Sequence, residues 1–85
     1  MSGEDVAKIK EAINSLDRGS KLVLKYFVQN RSVGELLALR ELRGLYRIKD
    51  PARILARLTE MGLLERAPGC YNIPKKVLKA LKEGA

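Results

Sequence analysis

The stretch between Lys49 and Ile73, KDPARILARLTEMGLLERAPGCYNI, constrains the fold more than any other part of the chain. Asp50 is suited to cap a helix, and Pro51 fits the first helical position, where its missing N–H is no loss. Apolar residues then recur at helical spacing, at Ile54, Leu55, Leu58 and Met61. The sequence therefore predicts an amphipathic helix that begins at Pro51.

A short hairpin is predicted to follow this helix. Gly62 is suited to the left-handed residue that ends a helix. Two predicted strands, Leu63 to Ala67 and Cys70 to Ile73, flank the pair Pro68-Gly69, which suits a type II turn. Helix, glycine and charged hairpin therefore form one continuous unit.

The face of the helix opposite the apolar stripe carries Arg53, Arg57 and Glu60. Two neighbouring arginines on a solvent face are suited to reading phosphates or base edges. The same arrangement also occurs on ordinary solvated helices, where both arginines are within reach of Glu60. Both interpretations stay open from this pattern alone.

The positive charge is concentrated in the C-terminal two thirds of the chain. Among the 85 residues, 17 basic and 10 acidic residues leave a net charge of +7. Residues 31–62 contain seven basic and four acidic residues, and residues 63–85 contain five and two. Such a small basic domain attracts polyanions, of which nucleic acid is the commonest. The alternative is that the lysines only keep a soluble protein dispersed.

Several classes of function lack the residues they need. Histidine is absent and Cys70 is the only cysteine, so the sequence predicts no metal site, no cofactor and no internal disulfide. No histidine base, recognisable pair of carboxylates or glycine-rich phosphate loop points to an enzyme. No apolar run approaches the roughly 20 residues of a membrane span, and no signal segment is recognisable. We therefore expect a cytoplasmic, non-catalytic protein.

Two helices are predicted at the start of the chain. Residues 4–16 carry a narrow apolar seam, which suits packing either on the same domain or on a second copy of the chain. Ser20 is predicted to cap a second helix, which ends near Gln29. Phe27, the only phenylalanine, is expected at the centre of the core.

The third helix is predicted to begin at Ser32, which forms an S-x-x-E capping box with Glu35, and to end between Arg40 and Arg43. Leu45 is then expected to turn back onto the core, ahead of an extended connector to Lys49. In that connector Tyr46 and Ile48 are expected to point inward and Arg47 and Lys49 outward. A lysine-rich helix is predicted after Pro74, mainly as a solubilising surface.

Taken together, these elements resemble a winged helix-turn-helix domain of the type found in small archaeal and bacterial transcription regulators. The best-matching segments are V-G-E-L-L, from Val33, and I-L-A-R-L-T-E-M-G-L-L-E-R, from Ile54. The resemblance implies a mainly α fold with a small β-hairpin wing. We expect one domain over residues 1–85, with an N-terminal helix in 1–19, the winged core in 20–73 and a basic helix in 74–85.

The resemblance also implies a DNA-binding site. The helix of residues 51–62 would be the recognition helix in the major groove, with the wing at residues 63–73. Arg53 and Arg57 would contact guanine edges. The residues expected to hold phosphates or to touch DNA from the wing are Arg47, Lys49, Ser32 and Arg66.

Two hypotheses about function follow. The first is a transcription regulator that binds double-stranded DNA as a homodimer through its N-terminal helix, its C-terminal helix or both. The second is a protein-interaction module or accessory subunit of a transcription or replication assembly, because winged helices also serve as protein-binding subunits. A basic recognition-helix face with small residues favours DNA, whereas an exposed apolar patch there favours a protein partner.

Overall fold

The computed structural model describes residues 3–84, and it describes side-chain surroundings for residues 6–82. The single domain expected over residues 1–85 includes Met1, Ser2 and Ala85, which lie outside the described residues. The architecture is mainly helical with a small antiparallel sheet, as predicted, and it is compatible with a winged helix. The elements in chain order are α1 Gly3–Asn14, α2 Arg18–Asn30, β1 Ser32–Gly34, α3 Glu35–Gly44, α4 Pro51–Glu60, β2 Glu65–Ala67, β3 Cys70–Asn72 and α5 Lys75–Gly84.

The predicted start and end of α4 are confirmed. Pro51 is the first residue of the helix, and the Arg53 backbone N–H donates to Asp50 Oδ1 at 3.3 Å. The cap therefore satisfies one of the donors that a helix N-terminus leaves unpaired. After the helix, Gly62 adopts a φ of +78°. The short carboxylate side chain, the proline and the glycine thus set both ends of this helix locally.

The wing contains one strand more than the predicted hairpin. β2 and β3 pair antiparallel around Pro68-Gly69, and Gly69 has a φ of +73°, as a type II turn requires. Both strands are shorter than predicted. The additional strand, β1, pairs antiparallel with the other side of β3, so the strand order is β1-β3-β2.

The predicted capping box at Ser32 is wrong. Ser32 lies in β1, where its hydroxyl donates to Asn72 Oδ1 on β3. The helix begins only at Glu35, after Gly34, and no side chain caps it. The Glu35 backbone N–H instead donates to the Gly69 carbonyl at 2.9 Å. The tip of the wing therefore binds the Glu35 N–H that the capping box would have satisfied.

The predicted cap of α2 is also displaced. The helix begins at Arg18 and its N-cap residue is Asp17, with no side-chain hydrogen bond to the helix N-terminus. Ser20 lies inside the helix and is buried. The serine therefore contributes a small side chain to the interior rather than a cap.

The first helix packs within the chain. α1 contacts α5, and Leu16, just beyond its C-terminal end, is buried. Ile9 and Ile13 are partly buried against the same core. The apolar seam of α1 is therefore covered at least in part by the domain itself, which was one of the two predicted alternatives.

Phe27 lies in the core, as expected, and its side chain is fully buried. Its ring meets the Tyr26 ring edge to face with 5.2 Å between centroids, and the Tyr71 ring with 6.4 Å between centroids. Tyr71 belongs to β3, so the aromatic contacts join α2 to the wing. Buried leucines from α2, α3, α4 and the segment after α4 belong to the same core, namely Leu24, Leu42, Leu55, Leu58, Leu63 and Leu64, and α5 adds Val77 and Leu78.

The connector between α3 and α4 follows the predicted alternation except at its first residue. Ile48 is buried and Tyr46 half-buried, whereas Arg47 and Lys49 are exposed. Leu45 does not turn onto the core, because its backbone stays right-handed helical and its N–H donates to the Glu41 carbonyl at 2.8 Å. This extra helical residue directs Leu45 outward, and 72% of its surface is exposed.

Tyr26 makes folding stability sensitive to high pH. Its buried hydroxyl donates to Glu41 Oε1 at 2.5 Å, and burial, followed by this bond, raises the pKa of Tyr26 well above its ordinary value of 10. The unfolded chain releases this proton near pH 10, but the folded chain retains it to higher pH. The contribution of Tyr26 to the free energy of unfolding is therefore complete below pH 10 and is lost as the pH rises further.

We expect urea unfolding at about pH 9 and about pH 11 to reveal this loss, up to about 1.4 kcal/mol per pH unit from Tyr26. The Tyr26→Phe variant should lack this component. Equal pH dependence in the two proteins would contradict the assignment.

Candidate functional site

The exposed side of α4 carries the arginines that the sequence singled out. Arg53 and Arg57 are exposed, as are Ala52 and Ala56 beside them. We call these four residues the α4 arginine face. Among the described side chains, neither arginine forms a salt bridge with Glu60, the pairing that the alternative interpretation allowed. The face is therefore basic and sterically open, with small residues between the cations.

Two other predicted cations lie just before α4. Arg47 and Lys49 are exposed in the connector that leads to Pro51. Arg57, on the helix, also acts on Asp17 at the start of α2, whose carboxyl pKa is lowered first by the Ser20 side chain and further by the positive charge of Arg57. Asp17 thus places one carboxylate close to the positive charge of Arg57, whereas Arg47 and Lys49 extend the basic surface into the connector.

The two remaining predicted DNA contacts belong to the sheet. Arg66 Nη2 lies 3.2 Å from Glu35 Oε1, and the guanidinium carbon lies 5.7 Å from the centre of the Tyr71 ring. Ser32 is bonded to Asn72 and lies at no helix N-terminus, which removes the reason for assigning it a phosphate. Arg66 and Ser32 therefore lie on the sheet and not on α4, and each contacts a side chain of this chain while remaining exposed.

A surface that the sequence did not predict lies on α3. Leu36 is 82% exposed and Leu37 is 51% exposed, while Leu45, just after the helix, is 72% exposed. We call Leu36 and Leu37 the α3 leucine face; Leu45 lies nine residues after Leu36, about 180° around the helix, and is not part of it. Gly44 lies seven residues after Leu37, and a Cβ atom at Gly44 would meet no atom within 4 Å. Open space therefore surrounds this side of the helix.

The α3 leucine face has a basic edge. Arg40 is exposed and lies four residues after Leu36, one helical turn away, and Arg43 lies a further turn along. The other side of α3 is used for packing, with Ala38 and Leu42 fully buried. Leucines thus lie on both sides of α3, so the leucine pattern alone could not distinguish its buried side from its exposed side.

A third surface is a basic groove along α5. It has a volume of about 420 Å³ and is lined by Arg31, Lys75, Leu78, Lys79 and Lys82. We call it the α5 groove. The sequence indicated the lysines but assigned them to solubility, and Arg31 was not among the candidate site residues. Their arrangement around one groove depends on the packing of α5 beside the end of α2.

An apolar hollow lies between α1, α2 and α5, with a volume of about 310 Å³. Its lining residues are Ile13, Lys21, Leu24, Lys25, Val28 and Leu81. Among the side chains of residues 6–82, no group of three or more potential metal ligands comes together. None of the helices within residues 3–84 is long and apolar enough to cross a membrane.

A comparison with protein families matches residues 17–79 to the family PolB1 Binding Protein 2. No match is found among curated proteins. The matched residues run from the N-cap of α2 to the middle of α5, so they include the α4 arginine face, most of the α5 groove and the α3 leucine face. Because the match covers well over half of the chain, this protein belongs to the PolB1 Binding Protein 2 family.

Proposed function

We propose that this protein is a non-catalytic subunit that binds the polymerase PolB1 and so joins a replication assembly. The family name supplies the partner, and the α3 leucine face is the observation that carries the proposal. Of the two sequence-based hypotheses, this is the protein-interaction module. It differs from that hypothesis in placing the apolar patch on α3 rather than on α4.

The exposed leucines have a physical consequence for binding. Single apolar residues scattered over a surface are ordinary, but a group of them marks an interaction site. Leu36 and Leu37 are adjacent and exposed, and neither contributes much to the core. Fully burying an exposed leucine contributes about 1.5–3 kcal/mol. Covering both is therefore sufficient to supply a large part of the binding free energy of a stable complex.

The surroundings of the leucines suggest the chemistry of the partner surface. Arg40 and Arg43 flank the leucines on the exposed side of α3. An apolar groove on PolB1 with acidic side chains at its edge would complement both features. In this arrangement the helix lies in the groove, the leucines supply affinity, and the arginines favour the correct orientation and a faster encounter.

Isothermal titration calorimetry with the purified 85-residue chain and purified PolB1 from the same source tests the proposal. We expect a one-to-one complex with a dissociation constant of about 1 μM or below, accompanied by a negative heat-capacity change from apolar burial. Size-exclusion chromatography should show co-elution. An absence of heat and of co-elution at about 50 μM of both proteins would contradict the proposal.

A second candidate function, double-stranded DNA binding by the α4 arginine face, is favoured by one specific observation. Arg53 and Arg57 are exposed between small residues, as a major-groove helix requires. Arg47 and Lys49 would then contact phosphates. We expect Arg53→Gln/Arg57→Gln to weaken duplex binding at least about tenfold if this helix reads DNA. The hypothesis of a homodimeric transcription regulator applies only to this second candidate function.

A further inference from the structure

The α5 groove brings together cations from distant parts of the sequence. Lys75, Lys79 and Lys82 lie at offsets 0, 4 and 7, so they occupy one face of α5. Arg31, at the end of α2, lines the same groove. The lining contains no acidic residue among those the structure describes, and none of these four cations forms a salt bridge with a described side chain. Four like charges therefore share one concave surface.

Arg31 has a backbone conformation that does not suit an arginine. Its φ of 64° and ψ of −63° lie in a region that non-glycine residues rarely adopt. Two hydrogen bonds hold it there, because its N–H donates to the Phe27 carbonyl at 2.7 Å and its carbonyl accepts from the Ile73 N–H at 3.0 Å. Glycine would serve this turn with less strain. What arginine adds at this position is its guanidinium group beside the lysines.

The spacing of the charges fits a strand of nucleic acid. Seven residues of helix place Lys75 and Lys82 about 10 Å apart along the axis. One strand of a duplex carries a phosphate about every 3.4 Å of the axis, so an α5 helix lying along that axis would face about three phosphates. The groove contains no aromatic side chain on which a base could stack. Its lining is therefore suited to the backbone and not to the bases.

We propose that the α5 groove binds the phosphate backbone of a nucleic acid, without reading its sequence. This binding goes beyond the polymerase binding proposed above and does not depend on it. It also differs from the second candidate, which assigns DNA to the α4 arginine face. A subunit with both properties would bind the polymerase through α3 and nucleic acid through α5.

The test is a fluorescence-anisotropy titration of labelled mixed-sequence DNA, single-stranded and duplex, with the full chain between about 50 and 200 mM salt. We expect Lys75→Gln/Lys79→Gln to weaken binding at least about tenfold at the lower salt. The slope of log affinity against log salt should fall by about 1.8 for duplex or about 1.4 for single strands. The form that binds more tightly identifies the preferred strand state.

Lys76 provides the matched control, because it is exposed on the same helix but does not line the groove. Lys76→Gln should leave the affinity nearly unchanged, whereas Lys79→Gln should weaken it severalfold. Equal losses in these two variants would overturn the proposal, since only the total charge would then matter. Loss confined to Arg53→Gln/Arg57→Gln, or no binding of wild type at the lower salt, would also overturn it.

Arg31→Gly separates the function of the side chain from that of the turn. We expect an unchanged or higher melting temperature, because glycine adopts the observed φ without strain, together with severalfold weaker DNA binding. Unchanged binding by this variant would overturn the assignment of Arg31 to the groove. Polyglutamate is the competitor that tests for an acidic protein ligand. Competition as strong as that of unlabelled DNA would overturn the assignment to nucleic acid.

Discussion

Phe27→Ala should lower the free energy of unfolding by about 3–5 kcal/mol, because it removes a fully buried ring and leaves a cavity that the surrounding helices cannot fill completely. The change also removes two edge-to-face contacts, with Tyr26 and with Tyr71. The free energy of unfolding of a small domain is only about 5–15 kcal/mol, so this loss removes a large part of the total stability. Urea denaturation followed by circular dichroism measures the loss.

Phe27→Leu is the control for this prediction. Leucine keeps most of the apolar volume and loses only the aromatic contacts, so we expect a cost of about 1–2 kcal/mol. The two variants together separate cavity formation from ring geometry. A loss below about 1 kcal/mol in Phe27→Ala would show that the ring does not occupy the centre of a closely packed core.

Leu36→Gln/Leu37→Gln should weaken PolB1 binding at least about 30-fold, equivalent to about 2 kcal/mol or more. The reason is that both side chains are exposed in the free chain and would be covered in the complex. Glutamine is a good helix former, so the stability of the free variant should stay within about 0.5 kcal/mol of wild type. Calorimetric titration and urea denaturation measure the two quantities separately.

The matched control changes two exposed residues of the neighbouring helix to the same side chain. Arg53→Gln/Arg57→Gln should leave PolB1 affinity within about threefold of wild type, because the α4 arginine face is not the docking surface. A larger loss in this control than in the leucine variant would move the interface to α4. Weakening by both variants to the same extent would mean that the interface spans both helices.

The sequence predicted α4 and its ends well because the determinants are local. Asp50, Pro51 and Gly62 each act within one turn of the helix end that they define. The apolar spacing reported the buried side of the helix at Leu55 and Leu58, which are fully buried, whereas Met61, the last residue of the predicted stripe, follows the helix and is 38% exposed. Features that depend only on residues close together in the sequence can be predicted from the sequence alone.

β1 was missed for the opposite reason. Its three residues pair with β3, and Ser32 lies opposite Asn72, so the strand exists only because a distant segment accepts it. Locally, Ser32 and Glu35 match a capping box, and no local signal opposes that interpretation. The same difficulty applies to Glu35, whose side chain meets Arg66 and whose N–H meets the tip of the wing. Long-range pairing decided between two locally acceptable structures.

The α3 leucine face was missed because leucines occupy most sides of this helix. Leu36, Leu37 and Leu39 are all candidates for the core by composition, yet the first two are exposed. The buried side is set by how α3 contacts α4 and β1, which periodicity does not report. For the same reason, the sequence directed attention to the arginines of α4 and placed DNA ahead of a protein partner, whereas family membership favours the partner.

The central claim, that PolB1 covers the α3 leucine face, is tested most directly by the leucine methyl NMR signals of the labelled chain bound to deuterated PolB1. We predict that the largest changes occur at Leu36 and Leu37, and that Leu24 and Leu81, in the apolar hollow, change little. Complex formation with the changes concentrated at Leu24 and Leu81 would contradict the claim and place the interface in the hollow.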